Sequence, residues 1–445
     1  MTTEFIRNNR FLLIILVISF LLSAAYSFYF RIKPAVDARA YDNIAVNIIS
    51  GNGYREHLTG ELSNDYAIAR VGPLYEYFLA GFYKVFGHRY GPVWLAQALL
   101  HALAAWLVYL TVMAIFADNE KKKTIGLWAA AIIGFFPDLI EISAMLMTET
   151  LYLFFVCLMF YLFFRYLYRP ANCLAASLGL AAALAVLSRP PVLFLLPVIL
   201  FFFLSRKKFW PLVLFCLALL LVWTPWTVRN WRVYGEIMPF GAAGSYNFWI
   251  GNYHGADGEQ TPMAEHYKFV ETHQIKEVNA ESAKQFKAFL RDYPAEFIKL
   301  TALRVNKYFS IIRPMGWWFY QHGLGQLLFI LSSAAAGVVL LILGLSGTVK
   351  SIMAQDKKLY YLLAFLIFTP LIIFVTVVET RYRFQVYPLL AIFAGYFIVY
   401  LAGRFKWWTD RILLTAVVII FANGLLDLFL SWGKFMEKLR PFINL

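Results

Sequence analysis

The chain has 445 residues, of which 61% are hydrophobic and only 15% are charged, and its mean hydropathy is +0.63. Soluble domains average about 25% charged residues, so the composition excludes a soluble globular protein and predicts an all-α polytopic membrane protein. The formal net charge of +14 is explained by the positive-inside bias and by contacts with anionic membrane lipids, so no nucleic-acid partner is expected. All three cysteines lie in apolar runs, and neither a disulfide framework nor a CxxC metal pair is predicted.

The stretch after the first predicted span has the sequence RIKPAVDARAYDNIAVNIISGNGY, residues 31–54. The span itself, residues 11–30, is long enough to cross a membrane and lacks a signal-peptide cleavage pattern, which favours an anchor. Pro34 favours an extended backbone before the following helix, and Gly51 and Gly53 are typical of a helix end. The residues between them therefore predict one helix of about four turns.

Two aspartates stand near the start of this predicted helix. Asp37 and Tyr41 share one helix face, whereas Asp42 lies off that face, within reach of Arg39. Two interpretations of Asp37 follow from its position. It caps the orphan amides of the helix start, or it is a catalytic carboxylate held at the membrane surface.

Ten further apolar runs predict ten more spans, which makes eleven. They are residues 93–116, 124–142, 148–165, 171–188, 191–204, 209–226, 324–347, 359–378, 386–402 and 411–430. The fourth and fifth of these ten are shorter than the roughly 20 residues that a straight crossing needs. Six basic clusters flank the spans, at Arg7/Arg10, Lys121–Lys123, Arg165/Arg169, Arg206–Lys208, Lys350/Lys357/Lys358 and Arg404/Lys406/Arg411. With eleven crossings, all six basic clusters lie on the same side of the membrane. Under the positive-inside rule this side is the cytoplasmic one.

This topology predicts a single membrane module, residues 1–445, with two long external loops, 31–92 and 227–323. In the first loop, residues 73–86 predict a helix with proline in its first turn and glycine past its end. Fourteen residues are too few to cross, so the helix is expected to lie in the interface. In the second loop, helices are expected over about 264–292 with a break, and over 294–310.

Several short motifs along the chain share one resemblance. They are the D-x-x-x-Y-D-x-x-A-x-x-I-x-x-G-x-G-Y pattern of Asp37 to Tyr54, R-x-G-P-L-Y at Arg70, M-L-M-T-E-T-L-Y at Met145, T-P-W-T-V-R-N-W at Thr224, G-S-Y-N-F-W-I-G-N-Y-H-G-A-D-G-E-Q-T-P at Gly244 and R-Y-R-F-x-x-Y-P at Arg381. Together they resemble the polyprenyl-phosphate-sugar-dependent glycosyltransferases of the GT-C fold, a family 39-type group that includes protein O-mannosyltransferases and aminoarabinose transferases. The chain departs from many relatives at Ala38, where they carry a second acid after the aspartate.

The resemblance implies that Asp37 is the catalytic base. It also places Glu149 at the start of a span where relatives carry a glutamate, and here both helix capping and an active-site role remain open. The R-Y-R-F-x-x-Y-P motif is assigned in the family to the pocket for the lipid phosphate. Asp138 and Glu141 are instead expected in a solvated turn at the helix ends.

Outward-facing arginines are unusual in short external turns under the positive-inside rule. Their planar fork suits a phosphate, while contact with lipid headgroups is the alternative. The residues assigned to substrate binding are Tyr41, Asp42, Arg70, Arg189, Arg229, Arg381 and Arg383. No metal site is predicted, because His266 and His273 alone do not supply the three or four ligands that zinc requires. Some relatives carry a divalent ion, but these residues do not require one.

The predicted function is transfer of a sugar from a polyprenyl-phosphate donor to an acceptor hydroxyl, with inversion. The predicted partners are this donor, a lipid, glycan or protein acceptor, and membrane lipids. The predicted location is the bacterial inner membrane, with the active site facing outside. Two alternatives remain: a lipid-linked-sugar flippase or transporter without chemistry, and a glycan ligase or polymerase. A transporter of duplicated halves would show repeat symmetry and mid-span charges, neither of which is evident in the sequence.

Overall fold

A computed structural model describes residues 2–59, 61–62, 65, 67, 70, 72–241, 243–315, 322–355 and 357–443. These residues form an all-helical protein, in which an isolated bridge between Glu259 and Val378 is the one β-type pairing described. The helices up to the second long loop are α1 Thr2–Phe30, α2 Asp37–Ile49, α3 Pro73–Phe86, α4 Tyr90–Ile115, α5 Lys122–Gly134, α6 Pro137–Ser143, α7 Glu149–Tyr168, α8 Asn172–Ser188, α9 Leu196–Ser205 and α10 Phe209–Tyr234. The later helices are α11 Ala243–Gly251, α12 Ala264–Thr272, α13 Ile275–Asp292, α14 Pro294–Tyr308, α15 Gly323–Met353, α16 Lys357–Phe368, α17 Leu371–Val375, α18 Tyr387–Ala402, α19 Arg411–Leu430 and α20 Trp432–Ile443. Short 3₁₀ helices span Pro190–Leu195, Thr380–Val386 and Trp407–Thr409.

The predicted all-α polytopic membrane fold is confirmed. Within the described residues, eight helical segments are long and apolar enough to cross a membrane, and the pair α5–α6, bent by 53°, makes nine if it is one span. Helix α8 and the segment Pro190–Ser205 are apolar but shorter. The α5–α6 pair, helix α8 and the segment Pro190–Ser205 occupy the positions of the three remaining predicted spans. The count of eleven therefore stays a prediction.

Close helix crossings hold the bundle together at glycines. A Cβ atom on Gly179 of α8 would overlap the carbonyl of Phe215 in α10, and one on Gly347 of α15 would overlap the carbonyl of Phe393 in α18. Helices in a membrane gain little from the hydrophobic effect between them, so such close backbone approach supplies packing attraction. These crossings fix the two helix pairs whose ends carry the site.

The basic clusters meet at the end of the bundle opposite the two long loops. The ammonium group of Lys358 lies 3.3 Å from the carboxylate of Asp118. Lys350 and Arg404 both lie over the ring of Tyr400, at 4.4 and 4.6 Å. Two clusters that are far apart in sequence, Lys350/Lys357/Lys358 and Arg404/Lys406/Arg411, therefore share one end, as the positive-inside prediction requires.

The helices predicted in the two loops are confirmed as α2, α3, α12, α13 and α14. Gly51 and Gly53, which follow α2, have φ values of 82° and 81°, a conformation that glycine adopts without strain. The expectation of a solvated turn at Asp138 and Glu141 is wrong. The two residues are 2% and 0% exposed, because α6 bends by 53° from α5 and packs against α1, α4 and α15.

Asp42 anchors α2 to the rest of the first loop. Its carboxylate accepts hydrogen bonds from the hydroxyls of Tyr83 at 2.6 Å and Tyr90 at 2.9 Å, and lies 2.9 Å from Nε2 of His88. Tyr83 belongs to α3 and Tyr90 starts α4, so one side chain joins three helices. Asp42 is 8% exposed, and a buried carboxylate is tolerated when such donors surround it.

We predict that Asp42→Asn lowers the free energy of unfolding by about 1–3 kcal/mol, because hydrogen bonds to a charged group are lost. Thermal unfolding in lipid nanodiscs measures the effect. Tyr90→Phe is the matched control, since it removes one donor and leaves the charge, and a loss of about 0.5–1.5 kcal/mol is expected. Unchanged unfolding of Asp42→Asn would contradict the anchoring role.

Candidate active site

The carboxylate of Asp37 lies between two arginine side chains. Its Oδ2 accepts a hydrogen bond from Nη2 of Arg381 at 3.0 Å, and its Oδ1 accepts one from Nη1 of Arg70 at 3.5 Å. Asp37 is the first residue of α2, after Val36, whose φ of 49° is rare for a β-branched residue. Among the described residues no backbone amide donates to this carboxylate, so the capping interpretation of Asp37 does not hold.

Arg381 connects three carboxylates. Besides the bond to Asp37, its Nε donates to Glu379 at 2.7 Å, and its Nη1 lies 3.6 Å from Oε1 of Glu149. The 3₁₀ helix Thr380–Val386 places the guanidinium here, and 12% of the side chain is exposed. Residues from the first loop, the start of α7 and the turn before α18 therefore meet at one group.

Glu149 forms an ion pair with Arg189 at the closed side of the cluster. The hydroxyl of Thr148 donates to Oε2 of Glu149 at 3.2 Å and accepts from Arg189 at 3.4 Å, whereas no side chain caps α7. Arg189 precedes Pro190 and has the extended backbone (φ −153°, ψ 119°) that a following proline favours. Pro190 and Pro191 therefore interrupt the helix directly after Arg189, whose charged side chain contacts Glu149 in the site.

Arg70 brings the rest of the first loop to the cluster. Its guanidinium makes two bonds to the carboxylate of Glu56, at 2.6 and 2.9 Å. Asp65 holds that part of the loop by accepting from the backbone amides of Glu56 at 2.8 Å and of His57 and Ala67 at 2.9 Å. The described residues of this part of the loop are thus held by hydrogen bonds from backbone amides to the Asp65 carboxylate.

The balance of charges keeps Asp37 ionised. Burial alone raises the pKa of Asp37, but the nearby guanidinium groups of Arg381, Arg70 and Arg189 outweigh burial and hold the pKa below its ordinary value. With 28% of its side chain exposed, the carboxylate can still be reached by a second molecule. An ionised, reachable carboxylate can accept a proton.

A cavity of about 310 Å³ lies beside the cluster. One end carries Glu149, Arg189 and Arg381, and the walls are mainly apolar. The walls come from the 3₁₀ helix Pro190–Leu195, from α17 and from α11. The apolar side chains are Pro190, Pro191, Leu193, Phe194, Phe240, Phe248, Ile372, Ile373, Val377 and Phe384. A site of this kind suits a molecule with an anionic group at one end and hydrocarbon at the other.

Four predicted site residues are engaged elsewhere. Tyr41 is 1% exposed and packs edge-on against Tyr75. Asp42 forms the anchor described above. Arg229 donates to the carbonyl of Tyr54 at 3.0 Å, and its guanidinium lies over the rings of Tyr54, Trp226 and Tyr234.

Arg383 is the fourth predicted site residue that is engaged elsewhere. Its guanidinium donates to the carbonyls of Ser310, at 2.9 Å, and Arg313. It therefore ties the turn before α18 to the end of α14 and does not point to the Asp37 cluster. The structure brings together Asp37, Arg70, Glu149, Arg189 and Arg381 among the residues predicted for the site.

Three acids near the site, Glu56, Glu76 and Glu379, were not predicted from the sequence. Glu379 is two residues before Arg381, and opposite charges so close in sequence could have predicted an ion pair. No feature of the sequence around Glu56 indicates its contact with Arg70. Glu76 is fully buried on α3, and burial raises its pKa to about 8. Glu76 is thus mostly protonated at neutral pH, which sequence alone does not reveal.

Within the described residues, no group of three or more His, Cys, Asp or Glu side chains is arranged to hold a metal ion. His266 accepts from the backbone amide of Met263 at 2.9 Å, and His273 stacks on Phe269. His266 and His273 therefore have separate contacts.

Comparison with known proteins gives one family match. Residues 70–227 match the family model described as dolichyl-phosphate-mannose-protein mannosyltransferase. The matched segment includes Arg70, Glu149 and Arg189, while Asp37 and Arg381 lie outside it. No curated protein sequence matches the chain at a significant level.

Solved structures with a similar course of the chain have low sequence identity. The oligosaccharyltransferase of Archaeoglobus fulgidus, solved with a tethered acceptor peptide, has a TM-score of 0.47 and 15% identity, over 98% of this chain and 56% of that chain. The same enzyme with an inhibitory peptide and dolichol-phosphate gives 0.47 and 15%, over 94% and 55%. ArnT from Cupriavidus metallidurans, bound to undecaprenyl phosphate, gives 0.42 and 12%, over 89% and 79%.

The chain spans about half the length of the oligosaccharyltransferase it resembles. The family match rests on sequence and is independent of these structural similarities. Through residues 70–227 the chain matches the model of the dolichyl-phosphate-mannose-protein mannosyltransferase family, which confirms the resemblance that the motifs show.

Proposed function

We propose that this protein transfers a sugar from a polyprenyl-phosphate donor to an acceptor hydroxyl, with inversion, at the outer face of the bacterial plasma membrane. The observation that carries the proposal is the position of Arg381. Its guanidinium lines the largely apolar cavity and also holds the ionised carboxylate of Asp37. One residue thus joins a site suited to a lipid phosphate to a group suited to accept a proton.

The donor is assigned to the cavity by its chemistry. Isoprene units match the apolar walls, and the phosphate matches the end with Arg189 and Arg381. A guanidinium forms bidentate hydrogen bonds with a phosphate, and such fixed cations stabilise the charge that develops on the leaving group. Polyprenyl phosphate is a good leaving group because its second pKa is about 6.

Asp37 is the proposed base. The acceptor oxygen forms a bond to the anomeric carbon, the bond from that carbon to the phosphate oxygen breaks, and the electron pair leaves with polyprenyl phosphate. The hydroxyl proton passes to the Asp37 carboxylate and then to water. A single displacement of this kind inverts the anomeric centre, whereas retention requires a carboxylate nucleophile.

The shared arginine links donor binding to the strength of the base. In the absence of donor, Arg381 helps to hold the pKa of Asp37 below its ordinary value. A bound phosphate brings negative charge to the same guanidinium, which weakens its effect on Asp37 and raises that pKa. Asp37 therefore becomes a stronger base when the donor is in place.

The outward orientation is supported by the distribution of charge. Basic clusters meet at the end of the bundle opposite the site, with Lys358 beside Asp118 and Lys350 beside Tyr400. Under the positive-inside rule that end is cytoplasmic. The cluster around Asp37 then faces outside, where a lipid, glycan or protein acceptor can reach it.

We predict that cysteines at exposed positions 57 and 268 react with a membrane-impermeant maleimide in intact cells. A cysteine at position 120 should react only after permeabilisation. The background protein has Cys157, Cys173 and Cys216 replaced, because Cys173 is exposed. Labelling of position 268 only after permeabilisation would contradict the proposed orientation.

We predict that Asp37→Asn slows sugar transfer by about 10²–10⁴, the contribution of a general base, with a donor affinity equal to or above that of wild type, because the neutral Asn no longer competes with the phosphate for Arg381. The assay follows release of polyprenyl phosphate from short-chain polyprenyl-phosphate sugars by mass spectrometry. Glu379→Gln is the matched control, since it also removes a carboxylate partner of Arg381, and less than a tenfold loss is expected. Equal losses in both variants would show that Asp37 only positions Arg381.

We predict that Arg381→Ala weakens binding of polyprenyl phosphate by about 1.5–3 kcal/mol, roughly ten- to hundredfold, because a charged hydrogen bond is lost. Arg381→Lys should restore only part of the affinity, since lysine lacks the planar fork. Arg383→Lys is the control two residues away, and it should change unfolding temperature while leaving the affinity of the folded protein intact. Wild-type affinity in Arg381→Ala would refute the phosphate site.

A further inference from the structure

One face of α11 forms part of the cavity wall. Gly244, Asn247 and Phe248 of this helix line the cavity. Residues three and four apart lie on the same face of a helix, so the three positions form one continuous surface. Gly244 leaves space on this surface, Phe248 supplies an apolar contact, and Asn247 supplies an amide.

The other polar side chains of the cavity are already engaged within the protein. Glu149, Arg189 and Arg381 contact one another. The hydroxyl of Tyr152 donates to Gln385 at 2.6 Å, and Gln385 donates to the carbonyl of Thr369 at 3.1 Å. Two more hydroxyls have protein acceptors, Thr376 at the carbonyl of Ile372 and Tyr382 at Gln260.

Asn247 differs from these residues. Among the described residues, its amide has no hydrogen-bond partner, and its side chain is half-buried. An asparagine amide offers two N–H donors and a carbonyl acceptor. Polar groups of this kind in a mainly apolar cavity commonly fix the orientation of a ligand.

The backbone that carries Asn247 is held firmly. A Cβ on Gly251, at the end of α11, would overlap the carbonyl of Thr376, so the helix lies directly against the end of the broken span. The next residue, Asn252, donates to the carbonyl of Val375 at 3.0 Å and accepts from Arg304 at 3.0 Å. A fixed backbone allows a single amide to select between similar ligands.

We propose that Asn247 binds a hydroxyl of the transferred sugar and determines which sugar the protein accepts, an inference that rests on the proposed function. The three parts of the donor differ in hydrogen-bonding chemistry. Isoprene units form no hydrogen bonds, and an ionised phosphate only accepts them and is served by the arginines. A sugar hydroxyl both donates and accepts, as the amide does.

The test compares two lipids, short-chain polyprenyl phosphate and the same lipid carrying a hexose. Binding to wild type and to Asn247→Ala is measured in nanodiscs. We expect Asn247→Ala to weaken the glycosylated lipid about three- to tenfold, the effect of one or two neutral hydrogen bonds, and to leave polyprenyl phosphate unchanged. Ser245→Ala, on α11 but outside the cavity lining, should change neither.

A set of donors that each lack one hydroxyl identifies the contact. For one deoxy sugar, the loss of affinity seen with wild type should disappear in Asn247→Ala, because the variant no longer contacts that position. This coupling would not arise if Asn247 served only to hold α11.

The outcomes separate the two proposals. Equal weakening of both lipids by Asn247→Ala, or additive losses for every deoxy sugar, would overturn the role of Asn247 and leave the proposed function standing. Wild-type protein that binds neither lipid would overturn the proposed function together with this inference.

Discussion

The ion pair between Asp37 and Arg381 is the interaction on which the site depends. The two residues are 344 positions apart, so their contact requires the first loop, the broken late span and the helices between them to be in place. Arg381 also pairs with Glu379 and lies near Glu149. Burying a guanidinium without such partners would be strongly unfavourable, so the surrounding carboxylates both stabilise the fold and set the electrostatics of the site.

The cavity exists because two spans are interrupted. Irregular backbone inside a membrane protein is tolerated when its polar groups are satisfied by the protein. The carbonyls freed near α17 receive hydrogen bonds from Gln385 at Thr369, from Arg304 at Phe374 and from Asn252 at Val375. Arg304 is 0% exposed, so a buried side chain of the second loop completes the broken span. The interrupted span beside the cavity is thus stabilised by hydrogen bonds from Arg304 and Asn252 of the second loop.

Local features of the sequence determined the elements of this fold. Apolar runs, helix-breaking prolines and terminal glycines act over a few residues, so α2, α3, α12, α13 and α14 could be predicted to within a few residues, whereas α11 was not predicted. Proline also gave the position of the break after Arg189, since Pro190 restricts the backbone before it. The motifs indicated a glycosyltransferase, and residues 70–227 match a family model of the same kind.

Tertiary structure decided which of these residues act together. Arg381 and Arg383 are equivalent in the sequence, yet one guanidinium reaches Asp37 and the other donates to backbone carbonyls near α14. Asp42 became an anchor because α3 and α4 pack over it, and Glu76 became a buried acid because α3 packs against α2 and α8. The helical period specifies the face of the helix on which a side chain lies. Burial, charge pairing and the reach of an arginine depend on which distant segments pack around it, and local sequence does not encode that.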